Sequence, residues 1–115
     1  MSSDTATLVK TMIDTLTEHK GEAICELDLK GITDVAEFVV VCSATSNRHA
    51  STLAERCWVA AKASGIEPLG KEGTDDNEWI LLDFGNVIVH VMLHSIRDYY
   101  NLEDMWCLKP GQHED

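Results

Sequence analysis

The segment Phe38-Val39-Val40-Val41-Cys42 constrains the fold more tightly than any other part of the chain. Five consecutive apolar residues, three of them β-branched, favour extended backbone and leave no polar side for solvent. Such a strand needs cover on both faces. It runs directly into Ser43-Ala44-Thr45-Ser46-Asn47, small residues rich in helix-capping oxygens. A helix over about 47–64 follows, with Ala50, Leu53, Ala54, Cys57, Trp58 and Ala61 as its buried stripe. Gly65 stops that helix and Pro68 prevents its continuation. A buried strand feeding an amphipathic helix belongs to an α/β fold.

The flanking segments extend this unit. Leu8, Val9, Met12, Ile13 and Leu16 recur at helical spacing, which predicts a helix over 4–19 with Ser2, Ser3 and Asp4 as capping residues. Gly21 is placed to take the left-handed position at its end. Residues 23–29 alternate, with Ala23, Cys25, Leu27 and Leu29 on one side and Glu26 and Asp28 on the other. A short strand is expected over 69–72, and longer ones over 79–84 and 87–93, joined at Gly85-Asn86 in a hairpin. Ser95 is placed to cap a terminal helix containing Arg97, Tyr100 and Leu102. The order α-β-β-α-β-β-β-α predicts a mixed sheet of about five strands with flanking helices. The helix after 38–42 favours a right-handed parallel crossover to the next strand.

At 115 residues the chain suits one domain over 1–115, with residues 1–3 and 109–115 frayed. Twenty acidic residues against nine basic ones give a formal net charge of −11. Direct binding to RNA or DNA is disfavoured unless the basic residues cluster; the acidity either serves solubility alone, the reading that composition favours, or suits a basic protein partner. Cys25, Cys42, Cys57 and Cys107 lack the spacing of a zinc or redox motif and suit a reducing compartment. No secretory signal pattern opens the chain, and no apolar run approaches the length of a membrane span. A cytoplasmic location is therefore expected.

The residues offer little chemistry. His90 and His94 on one strand would stand about 13 Å apart, too far to share a metal. His90 reads instead as a hydrogen-bonded structural residue. No cofactor is expected. Asp83-Phe84-Gly85 copies a kinase magnesium motif without its companion loops, so it reads as a turn. The Ser43–Arg48 turn could hold an anion at a helix N-terminus, but capping by Thr45 or Ser46 explains the same residues. Cys42 with His49 suggests a thiol nucleophile, against which stands a buried, inert Cys42. Trp79, Tyr99, Tyr100 and Trp106 are four of the seven aromatics, and they gather near the hairpin and the terminal helix. Rings so grouped belong either to the core or to an interface.

Three ordered segments resemble the Iojap-like ribosomal silencing factor family. They are Ala36-Glu37-Phe38-Val39-Val40-Val41-Cys42-Ser43-Ala44-Thr45-Ser46-Asn47-Arg48-His49, Glu78-Trp79-Ile80-Leu81-Leu82-Asp83-Phe84-Gly85-Asn86-Val87-Ile88-Val89-His90-Val91, and Arg97-Asp98-Tyr99-Tyr100-Asn101-Leu102-Glu103-Asp104-Met105-Trp106. The match departs at Ala44, where the family usually has Gly, and at Glu37, where it usually has Asp. The resemblance implies a nucleotidyltransferase-like fold without the catalytic residues, and no enzyme activity. It implies binding to ribosomal protein number fourteen of the large subunit, with steric exclusion of the small subunit and lower translation when nutrients are scarce. It nominates Trp79, Tyr100, Leu102 and Glu103 as contact residues; Asp83, His90 and Arg97 also match family positions. A nucleotide-binding or nucleotidyl-transferring enzyme is the rival reading, carried by the Ser43–Arg48 turn. A homodimer formed through the aromatic patch is a third.

Overall fold

The computed structural model describes residues 2–31, 34, 36–73 and 76–96. Helix α1 (Ser2–Glu18) leads into β1 (Glu22–Asp28) and β2 (Phe38–Ala44). Helix α2 (Asn47–Ala63) follows, then β3 (Gly70–Gly73), β4 (Trp79–Asp83) and β5 (Val87–Leu93). Residues 94–96 are helical, which puts Ser95 inside a first turn instead of at its cap. The expected tail at 109–115 lies outside the described residues.

The strands form one mixed sheet in the order β1-β2-β5-β4-β3. β2 and β5 are parallel and every other pair is antiparallel. The chain thus leaves β2 through α2, lands at the far edge in β3, and returns by two antiparallel steps to β2. The strand after the crossover is therefore not the neighbour of β2, although the two run in the same direction. Composition explains this. β3 reads Gly-Lys-Glu-Gly, which offers no apolar side chain to a doubly covered position. β5 supplies Val87, Val89 and Val91 to one face and Ile88 and Met92 to the other, and it occupies the middle.

The two sheet faces differ. α1 and α2 pack on one, where Leu8, Met12, Leu16, Leu53 and Cys57 meet Val40, Cys42, Leu82, Val89 and Val91. The opposite face gathers Leu27, Leu29, Val39, Val41 and Met92, with Trp79, Cys25, Ile88 and Ile96 against them. Strand alternation assigns each side chain to its face, so a one-residue slip would exchange the two sets. Among the described residues no buried side-chain nitrogen or oxygen lacks a hydrogen-bond partner. None of the helices described is long and apolar enough to cross a membrane.

The two helix ends use one geometry with different residues. After α2, Gly65 is left-handed (φ 86°), its N–H bonds Lys62 O, and Ile66 N–H bonds Ala61 O at 2.9 Å. This is a Schellman closure with glycine where it costs least. After α1 the same pair of bonds forms one position earlier than expected: Lys20 N–H to Thr17 O, and Gly21 N–H to Leu16 O at 2.7 Å. Lys20, not Gly21, therefore takes the left-handed position, at φ 69°. Gly21 is needed for space, because a Cβ there would lie 2.5 Å from Cys42 Sγ and 3.0 Å from Leu16 O. Cys42 is fully buried and cannot withdraw.

These contacts give opposite signs for two adjacent substitutions. Lys20→Gly relieves backbone strain and should stabilise by about 0.5–1 kcal/mol. Gly21→Ala overpacks the sheet and should destabilise by about 1–3 kcal/mol. Urea midpoints of the two variants check both.

Candidate functional site

Trp79 opens β4 and pairs across the ladder with Met92, while Leu81 pairs with His90. Side chains two apart share a face, so Trp79, Leu81, His90 and Met92 all point away from the helices. Trp79 and His90 are diagonal neighbours in this array. Their rings lie 5.8 Å apart at 49°, and Trp79 Nε1–H donates to His90 Nδ1 at 2.9 Å. The indole is half-buried. Its inner edge joins the Val41 and Met92 cluster. Its outer edge lines a cleft of about 280 Å³ with Glu72, Gly73 and Leu81.

Glu72 brings a carboxylate to that cleft, and those of Asp76 and Glu78 lie in the loop before β4. Glu72 sits in β3 opposite Leu81. Asp76 accepts the Glu78 N–H at 3.4 Å, and its carboxylate pushes the Glu78 pKa above the usual range by like-charge repulsion. The Glu78 carbonyl holds Leu93 N–H at 2.9 Å, which fixes the acidic loop against the end of β5. Of the nominated contact residues, Trp79 is in a half-open position with Glu72 beside it in the cleft. Tyr100, Leu102 and Glu103 lie outside the described residues, as does Arg97. Asp83 acts locally, since its Oδ1 accepts Gly85 N–H at 2.9 Å and shapes the hairpin, where Gly85 has φ 92°.

The Ser43–Arg48 turn is tied up internally. Ser46 caps α2 by accepting His49 N–H at 3.0 Å. Thr45 N–H donates to His49 Nδ1 at 3.0 Å, so the other nitrogen, Nε2, carries the proton toward His19 O, also at 3.0 Å. His49 thus clamps the end of α1 to the start of α2. Both ring nitrogens have these partners, leaving neither for Cys42. The Cys42 thiol instead faces Ser43 O at 3.6 Å. Burial, reinforced by nearby Cys42, pushes the Cys57 thiol up to about 12. At neutral pH Cys57 is protonated and behaves as a small apolar side chain. His94 Nε2 meets Glu22 Oε1 at 2.7 Å, across the sheet from His90. Among the described residues no group of three or more His, Cys, Asp or Glu is arranged to hold a metal ion.

A family model described as "Ribosomal silencing factor during starvation" matches residues 2–115. The chain belongs to this ribosomal silencing factor family. It is similar to Ribosomal silencing factor RsfS of Chromobacterium violaceum, at 40% identity over 84% of this chain and 80% of the relative. The RsfS of Haemophilus influenzae is 34% identical over 86% of this chain and 97% of its own length. A crystal structure of a Chromobacterium violaceum protein superposes with a TM-score of 0.87 at 38% identity, covering 90% of this chain and 87% of the other. A more distant relative is the mouse Mitochondrial assembly of ribosomal large subunit protein 1, 26% identical over 85% of this chain and 44% of its own length. The family assignment agrees with the resemblance carried by the three motifs, and the mixed five-stranded sheet agrees with the order of elements read from the sequence.

The sequence alone does not identify Glu72 and Leu81 as neighbours of Trp79 in the cleft. Leu81 was accessible through strand alternation. Glu72 required the β3–β4 register, which a four-residue strand of glycines and charges does not announce. His90 is the hydrogen-bonded buried residue that the sequence suggests, and its partner proves to be Trp79.

Burial lowers the His90 pKa from 6.5 to about 4. The unfolded chain therefore takes up a proton at a higher pH than this silencing factor does when folded. The resulting stabilisation is complete above pH 6.5 and is lost as pH falls toward 4. It amounts to about 3 kcal/mol. Urea unfolding across this interval should show that loss, and His90→Leu should flatten the dependence.

Proposed function

We propose that this chain docks on the large ribosomal subunit through its ribosomal protein number fourteen and blocks small-subunit joining by occupying the space. In this reading Trp79, Tyr100, Leu102 and Glu103 form the contact. Translation falls under nutrient limitation, and no bond is made or broken. The observation that carries it is the half-open Trp79 indole, with Glu72 beside it in the cleft, on a chain of the silencing factor family. An aromatic anchor in a cleft that carries a carboxylate suits a basic protein surface. The net charge of −11 works in the same direction and against direct RNA readout. The names of the relatives point to ribosomes, and the mouse relative's name points to the large subunit.

The protein acts in the cytoplasm in this account, without a cofactor. We also read the sheet as a nucleotidyltransferase-like architecture without that chemistry, since no Asp-x-Asp pair occurs in the sequence. An interface of ~1,200–2,000 Å² suffices for steric exclusion. The same aromatic face can join two copies, in which case dimerisation and docking compete.

Sedimentation with purified subunits tests the proposal. The protein should migrate with large subunits and reduce their joining to small ones. Trp79→Ala and Tyr100→Ala should each remain folded and weaken binding by about 30-fold, the equivalent of about 2 kcal/mol. Failure to migrate with large subunits would overturn the docking reading.

A further inference from the structure

The indole of Trp79 has an unusual setting for an interface anchor. It lines the cleft together with Glu72, Gly73 and Leu81. Within the sheet it packs on the Leu27, Leu29, Val39, Val41 and Met92 cluster. Its ring nitrogen is tethered by the hydrogen bond to His90, 2.9 Å long. His90 is itself 5% exposed and sits mid-strand between Val89 and Val91. Burying a histidine there costs desolvation that Leu or Val would not, unless its polar atoms are engaged.

The donor identity fixes the imidazole state. An indole N–H can only donate, so His90 Nδ1 must present its lone pair. The ring is then neutral, with its proton on Nε2. We infer that His90 is a positioning residue for docking: its Nδ1 lone pair holds the Trp79 indole at one tilt at the mouth of the cleft, ready for the partner. This rests on the docking reading above. An anchor ordered before association does not have to be ordered during it, which typically saves about 0.5–1.5 kcal/mol per side chain.

The test uses the full chain titrated into purified large ribosomal subunits, with thermal unfolding of every variant. His90→Leu fills the same volume and removes the acceptor. It should weaken binding about 3- to 10-fold while the protein stays folded. His90→Asn places Oδ1 near the Nδ1 position and should restore binding to within about twofold. In ¹H–¹⁵N spectra, the Trp79 indole signal, assigned by its loss in Trp79→Phe, should shift and exchange faster in His90→Leu and recover in His90→Asn. Adding His90→Leu to Trp79→Phe should weaken binding no further, because both remove one hydrogen bond. A purely structural role for His90 would not produce this coupling.

His90→Leu binding like the unsubstituted chain, or an unchanged indole signal, overturns the inference. If His90→Leu fails to fold, Trp79→Phe decides: undiminished binding overturns the inference, and weakened binding that His90→Asn reproduces only in part supports it. Trp79→Ala separates the two levels. If it binds normally, the docking reading has failed. If it binds poorly while His90→Leu binds well, only the positioning role has failed.

Discussion

The parallel pairing of β2 with β5 is the interaction on which the rest of the architecture depends. It joins residues 38–44 to residues 87–93 in continuous register, from Phe38 opposite Val87 to Ala44 opposite Leu93. Two of the other three strands attach directly to this pair. β1 pairs with β2, β4 pairs with β5, and β3 is held only through β4. Both helices rest on the face these strands create, through Val40, Cys42, Val89 and Val91. The pairing also closes a long loop, so its entropic cost falls late in folding. Asn86 secures its entrance: its carbonyl accepts the N–H groups of Glu37 at 2.9 Å and Phe38 at 3.1 Å. Its side-chain amide reaches Thr5 Oγ1 at 3.5 Å, linking the same corner to α1.

Much of this was legible because the decisive signals are local. The continuous Val39-Val40-Val41 run announces cover on both sides, and the structure buries all three. The Gly85-Asn86 turn between two apolar runs announces the hairpin. The α2 stripe announces its own buried face, with Ala50, Leu53, Ala54, Cys57 and Ala61 inside. Strand order was less legible, because it is a contest between candidates for the place beside β2. β3 is the sequential choice and β5 the better neighbour by composition. The exchange of roles between Lys20 and Gly21 was hidden for a related reason. A glycine after a helix serves a left-handed cap and a close approach equally well, and only the position of Cys42 distinguishes the two.

The site was legible at the level of residue type and not of partnership. Trp79 stands out as a scarce aromatic at a strand start, and His90 as a lone polar residue in an apolar strand. That they bond follows from the β4–β5 register, in which the hairpin length places them diagonally on one face. The acidic surroundings were visible only as a total. A count of −11 does not say where charge gathers, whereas the raised Glu78 pKa, with Asp76 as its largest cause, locates two like charges close together just before β4.

The two faces of the sheet consequently do different work with similar materials. On the helix face, aliphatic side chains interlock with the buried Cys42 and Cys57, and burial keeps the Cys57 thiol protonated near neutrality. The opposite face places one neutral imidazole in an otherwise apolar array and lets it order a ring that reaches the surface. A hydrogen bond drawn from inside the protein thus ties down the ring nitrogen of a side chain whose other part lines the cleft beside Glu72 and Leu81.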